Sequence, residues 1–280
     1  MTNGDNDTFP LWWLQVKMGF RPDVVVLNIS LLNTSCFVKY LKHKKGVPMT
    51  LSDEEIDKLR PIKKGDTLLL PAYQVIQNII EANDWQRPVY YAVTLAKRHK
   101  DIIGYPSSLI GLAEKVSEHA EAKVELDELK KNLYSYKYDH VFNRNFTPRK
   151  ELDCMLRKLV QNYISLFYIL ANELYLRNEK TEAKSVLKRL ICMVENLAFN
   201  LLEPIGDLAY KMGEYSLAEK CYKNLVNSQP HYFRGIYTYA KFKKRIGQKE
   251  KGLKLLTRWI EQHPYNKEAV DSLKSFVEDD

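Results

Sequence analysis

The chain has 280 residues, 45% hydrophobic and 28% charged, with a formal net charge of +8; this excludes a disordered or fibrous polypeptide and suits one large or two modest domains. Residues 1–140 hold 19 Lys and Arg against 18 Asp and Glu, and residues 141–280 hold 24 against 17, so the basic excess belongs to the second half. It is dispersed along helix-like segments rather than clustered, and no nucleic-acid partner is expected.

No apolar run approaches the ~18 residues that span a bilayer, and the start of the chain lacks the pattern of a signal peptide. The cysteines Cys36, Cys154, Cys192 and Cys221 are far apart and lack metal-ligand spacing, so they read as buried free thiols. No metal and no cofactor is expected.

In chain order, the N-terminal run Thr2-Asn-Gly-Asp-Asn-Asp-Thr-Phe-Pro-Leu-Trp-Trp13 packs carboxylates, carboxamides and a hydroxyl against an aromatic wall. A helix is expected over 10–18. So polar a cluster stands where a fold rarely begins, and further chain upstream of it is expected. Residues 23–30, nearly all apolar and rich in valine, read as a buried strand of a parallel sheet. Thr34-Ser35 can cap a helix to about residue 42. Residues 42–65 read as a surface excursion, with a capping box at Ser52-Asp-Glu-Glu55. A helix over 71–82, a strand over 87–94 and a charged helix over 118–135 follow. An aromatic, polar connector spans 134–148, where Tyr134, Tyr136 and Tyr138 alternate.

A period appears in the second half. Gly213 and Gly247 are 34 residues apart, and so are Pro230 and Pro264. Gly206, Gly213, Tyr215, Ala218, Tyr222 and Pro230 sit at tetratricopeptide spacing. A second unit spans 233–264, with Gly252 where alanine is usual. An earlier unit spans 163–196, its register slipped by one residue. A capping helix is expected over 266–277. The fold class is therefore an α/β N-terminal domain with a small, mainly parallel sheet over residues 1–135. A connector over 136–150 and an all-α tetratricopeptide-like array over 151–280 complete it.

In a parallel α/β layer, ligands bind where strand ends feed helices. Three stretches would meet there, offering Asp5, Asn6, Asp7, Thr8, Asn28, Ser30, Asn33 and Thr94, a polar set suited to a sugar, a phosphate or a hard cation. In the bland alternative, Asp7 or Thr8 caps the first helix and Asp5 closes an Asx-turn. Motifs for a P-loop, a dinucleotide fold, a nucleophile elbow or a zinc protease are absent, so no catalytic residue is assigned. The histidines stand singly; His231 and His263 read as exposed loop residues. In the array, Tyr168, Tyr175, Tyr210 and Tyr237 are candidates for a groove that takes protein or peptide.

The order of motifs resembles a family. Gly4-Asp-Asn-Asp-Thr-Phe-Pro-Leu-Trp12, the run Arg21-Pro-Asp-Val-Val-Val-Leu-Asn-Ile-Ser-Leu-Leu-Asn-Thr34, and Asn83-Asp-Trp-Gln-Arg-Pro-Val-Tyr-Tyr-Ala-Val-Thr94 resemble the C-terminal extracytoplasmic region of bacterial membrane proteins related to protein O-mannosyltransferases. Gly111-Leu-Ala-Glu-Lys-Val116 and Met155-Leu-Arg-Lys-Leu-Val-Gln-Asn-Tyr163 continue the match into the repeats, over nearly the whole chain. Residues 97–104 are more basic than the family's usual run there.

The resemblance implies a non-catalytic, periplasmic-face module tethered to the membrane in its parent protein. The catalytic carboxylates would lie in a multi-helix membrane domain that this chain does not contain. The expected partners are that membrane domain, an acceptor protein or peptide, and a glycan. Two alternatives stand beside it: a free-standing tetratricopeptide-type interaction scaffold, and a small enzyme or sugar- or cation-binding domain using Asp5 and Asp7.

Overall fold

A computed structural model describes residues 1–119, 122–150, 152–194 and 199–278. Residues 120–121 of the expected helix over 118–135 and residues 195–196 of the first repeat unit lie outside them. The chain divides into two compact units, Met1–Tyr134 and Ser135–Asp280. Among the described residues, no helix is long and apolar enough to cross a membrane.

In the first unit, α1 spans Asp5–Met18, five residues longer at its start than expected. Asp5 and Asp7 lie in its first turn, where carboxylates complement the helix dipole. Gly19 closes the helix in the left-handed region. After a 3₁₀ turn at Leu31–Asn33, α2 spans Ser35–Lys45 and ends at Gly46. Thr34 precedes α2 as expected but does not cap it: its hydroxyl donates to the Leu31 carbonyl instead.

The expected capping box is present. Ser52 accepts from the Glu55 N–H and the Glu55 carboxylate accepts from the Ser52 N–H, starting α3 at Asp53–Lys58. Hydrogen bonds from Ser52 to the Glu55 carboxylate, from its backbone N–H first and then from its side chain, hold that carboxyl below its usual range.

Strands β1 (Ile62–Lys64) and β2 (Thr67–Leu69) form a hairpin about Gly65, inside the stretch read as an excursion. Helix α4 (Pro71–Asn83) follows, with Pro at its first turn. It is the centre of this unit's core: Ala72, Tyr73, Val75, Ile76, Ile79 and Ile80 are all buried, packed with Leu32, Val38, Leu41, Tyr91, Leu95 and Ile103.

Next come β3 (Val89–Ala92), α5 (Lys97–Ile103), β4 (Ser107–Leu109), β5 (Ala113–Val116) and α6 (Leu126–Ser135). Their sheet, ordered β3-β5-β4, is antiparallel throughout. That corrects the expected mainly parallel sheet. β4 and β5 are joined by a short turn holding Gly111 at φ +148°, and a connection so short can join only antiparallel strands.

Parallel pairing does occur beyond the named strands. The Thr2 N–H donates to the Leu27 carbonyl at 2.8 Å and the Ile29 N–H to the Thr2 carbonyl at 2.9 Å. On the other side of the same residues, the Met1 nitrogen donates to the Tyr90 carbonyl at 2.6 Å and the Ala92 N–H to the Met1 carbonyl at 2.9 Å. Residues 1–3 thus run between the extended segment 24–29 and β3, parallel to both. Residues 23–30 are buried from Val26 to Ile29 as expected of a strand, but bridge only at Asn28.

In the second unit, the aromatic connector folds onto its own first helix. Tyr136 and Tyr138 pack edge-on against Tyr163, and Tyr138 also meets Phe142, Phe146 and Phe167. The helix pairs are α7 (Cys154–Leu176) with α8 (Lys180–Met193), α9 (Phe199–Lys211) with α10 (Tyr215–Ser228), and α11 (Phe233–Arg245) with α12 (Lys249–Gln262); α13 (Lys267–Glu278) closes the row.

Each pair turns in the same way. Asn178, Gly213 and Gly247 take φ of +65°, +76° and +76°. After them the N–H groups of Glu179, Glu214 and Gln248 donate back to Leu174, Ala209 and Lys243. Gly is the default for such left-handed positions and Asn the next best, so the one-residue slip in sequence register preserves the turn.

Candidate functional site

The three polar stretches that sequence places at one edge do meet there. Chain direction is shared by residues 1–3, segment 24–29 and β3, so each leaves the sheet on the same side: into α1, into the 3₁₀ turn, and toward Thr94. One side-chain hydrogen bond spans the gap between the first and the third: the Thr94 hydroxyl donates to Asp7 Oδ2 at 2.5 Å. A second ties the first to the second: the Ser30 hydroxyl donates to Asn3 Oδ1 at 3.3 Å.

The eight candidate residues divide by role. Thr8 and Asn28 are buried, at 0% and 3% exposure, and belong to the fold. The Asn28 amide donates to Thr8 Oγ1 at 2.9 Å, Thr2 Oγ1 lies 2.7 Å from Thr8 Oγ1, and Thr8 donates to the Gly4 carbonyl at 2.8 Å. One hydroxyl proton and two lone pairs account for all three contacts. Asn28 Oδ1 accepts from the Leu31 N–H and so shapes the next turn. Asn33 is exposed, and its Oδ1 accepts from the Ala72 N–H in the first turn of α4.

Asp5, Asn6, Ser30 and Thr94 are exposed and Asp7 is half-buried; these form the open lip of the edge. Asp7 and Thr8 do not cap α1, whose N-cap is Gly4 without a side-chain bond. Sequence reasoning missed Thr2, 4% exposed. Its role comes from pairing with residues some 25 positions away, for which no local signal exists.

Chemically, the lip is rich in hydrogen-bond acceptors. Two carboxylates in the first turn of α1 oppose an anion at that helix N-terminus, so the phosphate option is disfavoured, whereas sugar hydroxyls fit acceptors and the Ser30 and Thr94 hydroxyls. Among the described residues, no three of His, Cys, Asp and Glu stand close enough to hold a metal ion. Replacing Thr8 by valine is expected to cost about 1–3 kcal/mol, because the Thr2 hydroxyl and Asn28 amide lose a buried partner. Urea unfolding of the variant checks this, with Thr8→Ser expected close to wild type.

In the array, the four candidate tyrosines are all half-buried and lie on the first helix of successive pairs. The Tyr175 hydroxyl donates to the Lys211 carbonyl at 3.3 Å. Tyr210 packs against Tyr215 and Phe242, with the Arg245 guanidinium over its ring. Tyr237 stacks on Phe233 with Lys241 over it. Burial raises the Tyr168 hydroxyl pKa, and Asp207 adds to that.

Around them runs a charged seam. Glu203 of α9 accepts from Thr238 at 3.2 Å, and Asp207, one turn on, accepts from the Tyr222 hydroxyl at 2.6 Å. Lys243, only 5% exposed, pairs with Glu219 at 2.8 Å, and the Tyr239 hydroxyl and Lys223 bind the same carboxylate. His231 and His263, read as loop residues, face each other at 3.3 Å, and the His263 ring stacks on Trp259. Their separation is close to one repeat, the only signal in the sequence that they could meet.

No curated protein sequence matches the chain. Solved structures titled "Crystal structure of MamA" and "Crystal structure of MamA protein" are similar to it at 16% identity and a TM-score of 0.30 each. They cover 50% and 51% of this chain and 79% and 77% of theirs. Residues 1–59, the segment that builds most of the polar edge, are similar to a family described as TMEM260-associated domain 2.

Proposed function

We propose that this chain is a non-catalytic, extracytoplasmic module of a membrane glycosyltransferase of the protein O-mannosyltransferase-like kind. It would be tethered to the membrane in the parent protein, and its helical array would bind the acceptor protein or a partner. The observation that carries this reading is the similarity of residues 1–59 to TMEM260-associated domain 2. It falls on the segment whose motifs resemble that transferase family.

The chemistry of the lip is consistent with a carbohydrate. Asp5, Asn6 and Asp7 offer acceptors, Ser30 and Thr94 offer hydroxyls, and the helix-end carboxylates turn away free phosphate. The array supplies the surface that stacked helix pairs make for protein ligands, with Tyr168 and Tyr237 as aromatic anchors. Such anchors dominate binding when they sit in a groove.

The test is hexose occupancy on extracytoplasmic proteins, counted by mass spectrometry in cells carrying the variant gene. Tyr168→Ala with Tyr237→Ala is expected to weaken acceptor binding about 30-fold, the effect of losing a ~2 kcal/mol hot spot, and to lower occupancy accordingly. Tyr265→Ala, at a side chain 97% exposed, is expected to leave it unchanged. Occupancy that survives removal of residues 135–280 discards the reading. Loss of a bound partner without any change in hexose favours the free-standing scaffold instead.

A further inference from the structure

Helix α1 turns its apolar side outward. Phe9, Trp13 and Val16 follow one another at intervals of four and three residues, so they share a face, and they are 52%, 56% and 81% exposed. Phe20, just past the helix end, is 62% exposed and its N–H donates to the Leu14 carbonyl, which keeps it beside that helix. Thr8 is the one buried residue of α1. A helix whose largest side chains point to water reverses the usual rule for globular proteins, and a run of exposed apolar side chains marks a docking face.

The face continues sideways onto α2. Ring centroids link Phe9 to Trp12 at 5.8 Å, Trp12 to Phe37 at 6.2 Å and Phe37 to Tyr40 at 6.3 Å. Tyr40 is 45% exposed, and the Lys45 ammonium sits 6.0 Å from its ring. The last turn of α2 carries Lys42, His43, Lys44 and Lys45. Asp53 engages Lys42 and His43, while among the described residues Lys44, Lys45 and, on α1, Lys17 have no carboxylate partner. Aromatic rings beside apolar side chains, rimmed by unpaired lysines, are the composition of a surface that lies in the headgroup layer of a membrane.

We propose that the α1 stripe seats on an anionic lipid bilayer, with Trp13, Val16 and Phe20 in the upper acyl layer and Lys44 and Lys45 on the headgroups. The acidic first turn of α1, Asp5 and Asp7, lies at the other end of the stripe from Lys17 and would stay in water. The choice of lipid over a protein partner rests on that charge complementarity. It is independent of the glycosyltransferase reading, since lipid binding needs no acceptor and no sugar.

The test is co-sedimentation of the full chain with vesicles of phosphatidylcholine alone and with 30% phosphatidylglycerol, at low salt. Binding is expected on the anionic vesicles and to fall about tenfold at high salt. Trp13→Ser with Val16→Ser, both at exposed positions, is expected to weaken it at least tenfold, and Lys44→Glu with Lys45→Glu about thirtyfold or more. Circular dichroism checks that each variant keeps its helices. Equal binding to neutral vesicles, or undiminished binding of either variant, overturns the proposal. So does a dimer in solution that Trp13→Ser dissociates while the wild type ignores vesicles, since the stripe would then be covered by a second copy.

Discussion

Glu219→Leu is expected to destabilise the helical array by about 3–5 kcal/mol, the cost of leaving a buried charge without its partner. Among the described residues, Lys243 would keep Gln248 Oε1 at 3.2 Å and the faces of Tyr239 and Phe242, which do not neutralise an ammonium that is 5% exposed. The double variant Glu219→Leu with Lys243→Met is expected to recover most of the loss, since matched apolar groups often replace a buried pair without net cost. Urea unfolding followed by circular dichroism reads both. A single variant within 1 kcal/mol of wild type would sink this account.

The same hub sets an acid limb. Hydrogen bonds from Lys243 first, then Lys223, hold the Glu219 carboxyl down at about 2, against an ordinary 4.5. A depressed folded-state pKa contributes stability that is fully present above the unfolded value and is lost as protons bind. The array is therefore expected to lose stability as pH falls from about 4.5 toward 2. A melting series over that window, repeated for Glu219→Gln, should be flatter in the variant.

Gly252→Ala is expected to cost about 1–3 kcal/mol, the range for forcing atoms into a filled core. A Cβ there would meet the Ala240 carbonyl oxygen at 2.7 Å and Phe276 at 2.8 Å. The first contact is backbone on α11 and cannot swing aside, so trimming Phe276 should rescue only part of the loss. Gly213→Asn is the contrast. Nothing lies within 4 Å of its Cβ position, and Asn178 already holds the equivalent left-handed turn, so a loss of a few tenths of a kcal/mol is expected. Thermal melts of the two variants separate backbone conformation from close packing. Similar losses would mean that Gly252 is needed for its backbone angle rather than for the close approach of Ala240 and Phe276.

Several elements were legible because their signals are short-range. The capping box at Ser52 needs only Glu55, and α4 declares itself through its apolar period and opening Pro71. The 34-residue spacing of Gly213 and Gly247 announces the helix pairs, since each demands the same turn. The start of α1 was misplaced because Pro10 reads as a first-turn residue, whereas here it sits inside the helix. The hairpin of β1 and β2 was missed because three-residue strands carry too few side chains to establish an alternation.

The candidate edge was half legible. Chain order and the valine-rich run sufficed to bring Asp7, Ser30 and Thr94 to one side of a sheet, because strands that share a direction release their chains at the same edge. Which of the polar residues open to solvent and which lock the fold was settled only by three-dimensional pairing. Thr8 and Asn28 are as polar as Asp5 and Ser30, yet they close a buried network with Thr2. Likewise, the apolar residues of α1 are plain in the amino-acid order, but that their stripe faces outward follows from how little of this helix the core covers. Period and capping belong to neighbours in the chain and can be read along it; burial and direction depend on partners 20 to 89 positions away, and folding alone brings those together.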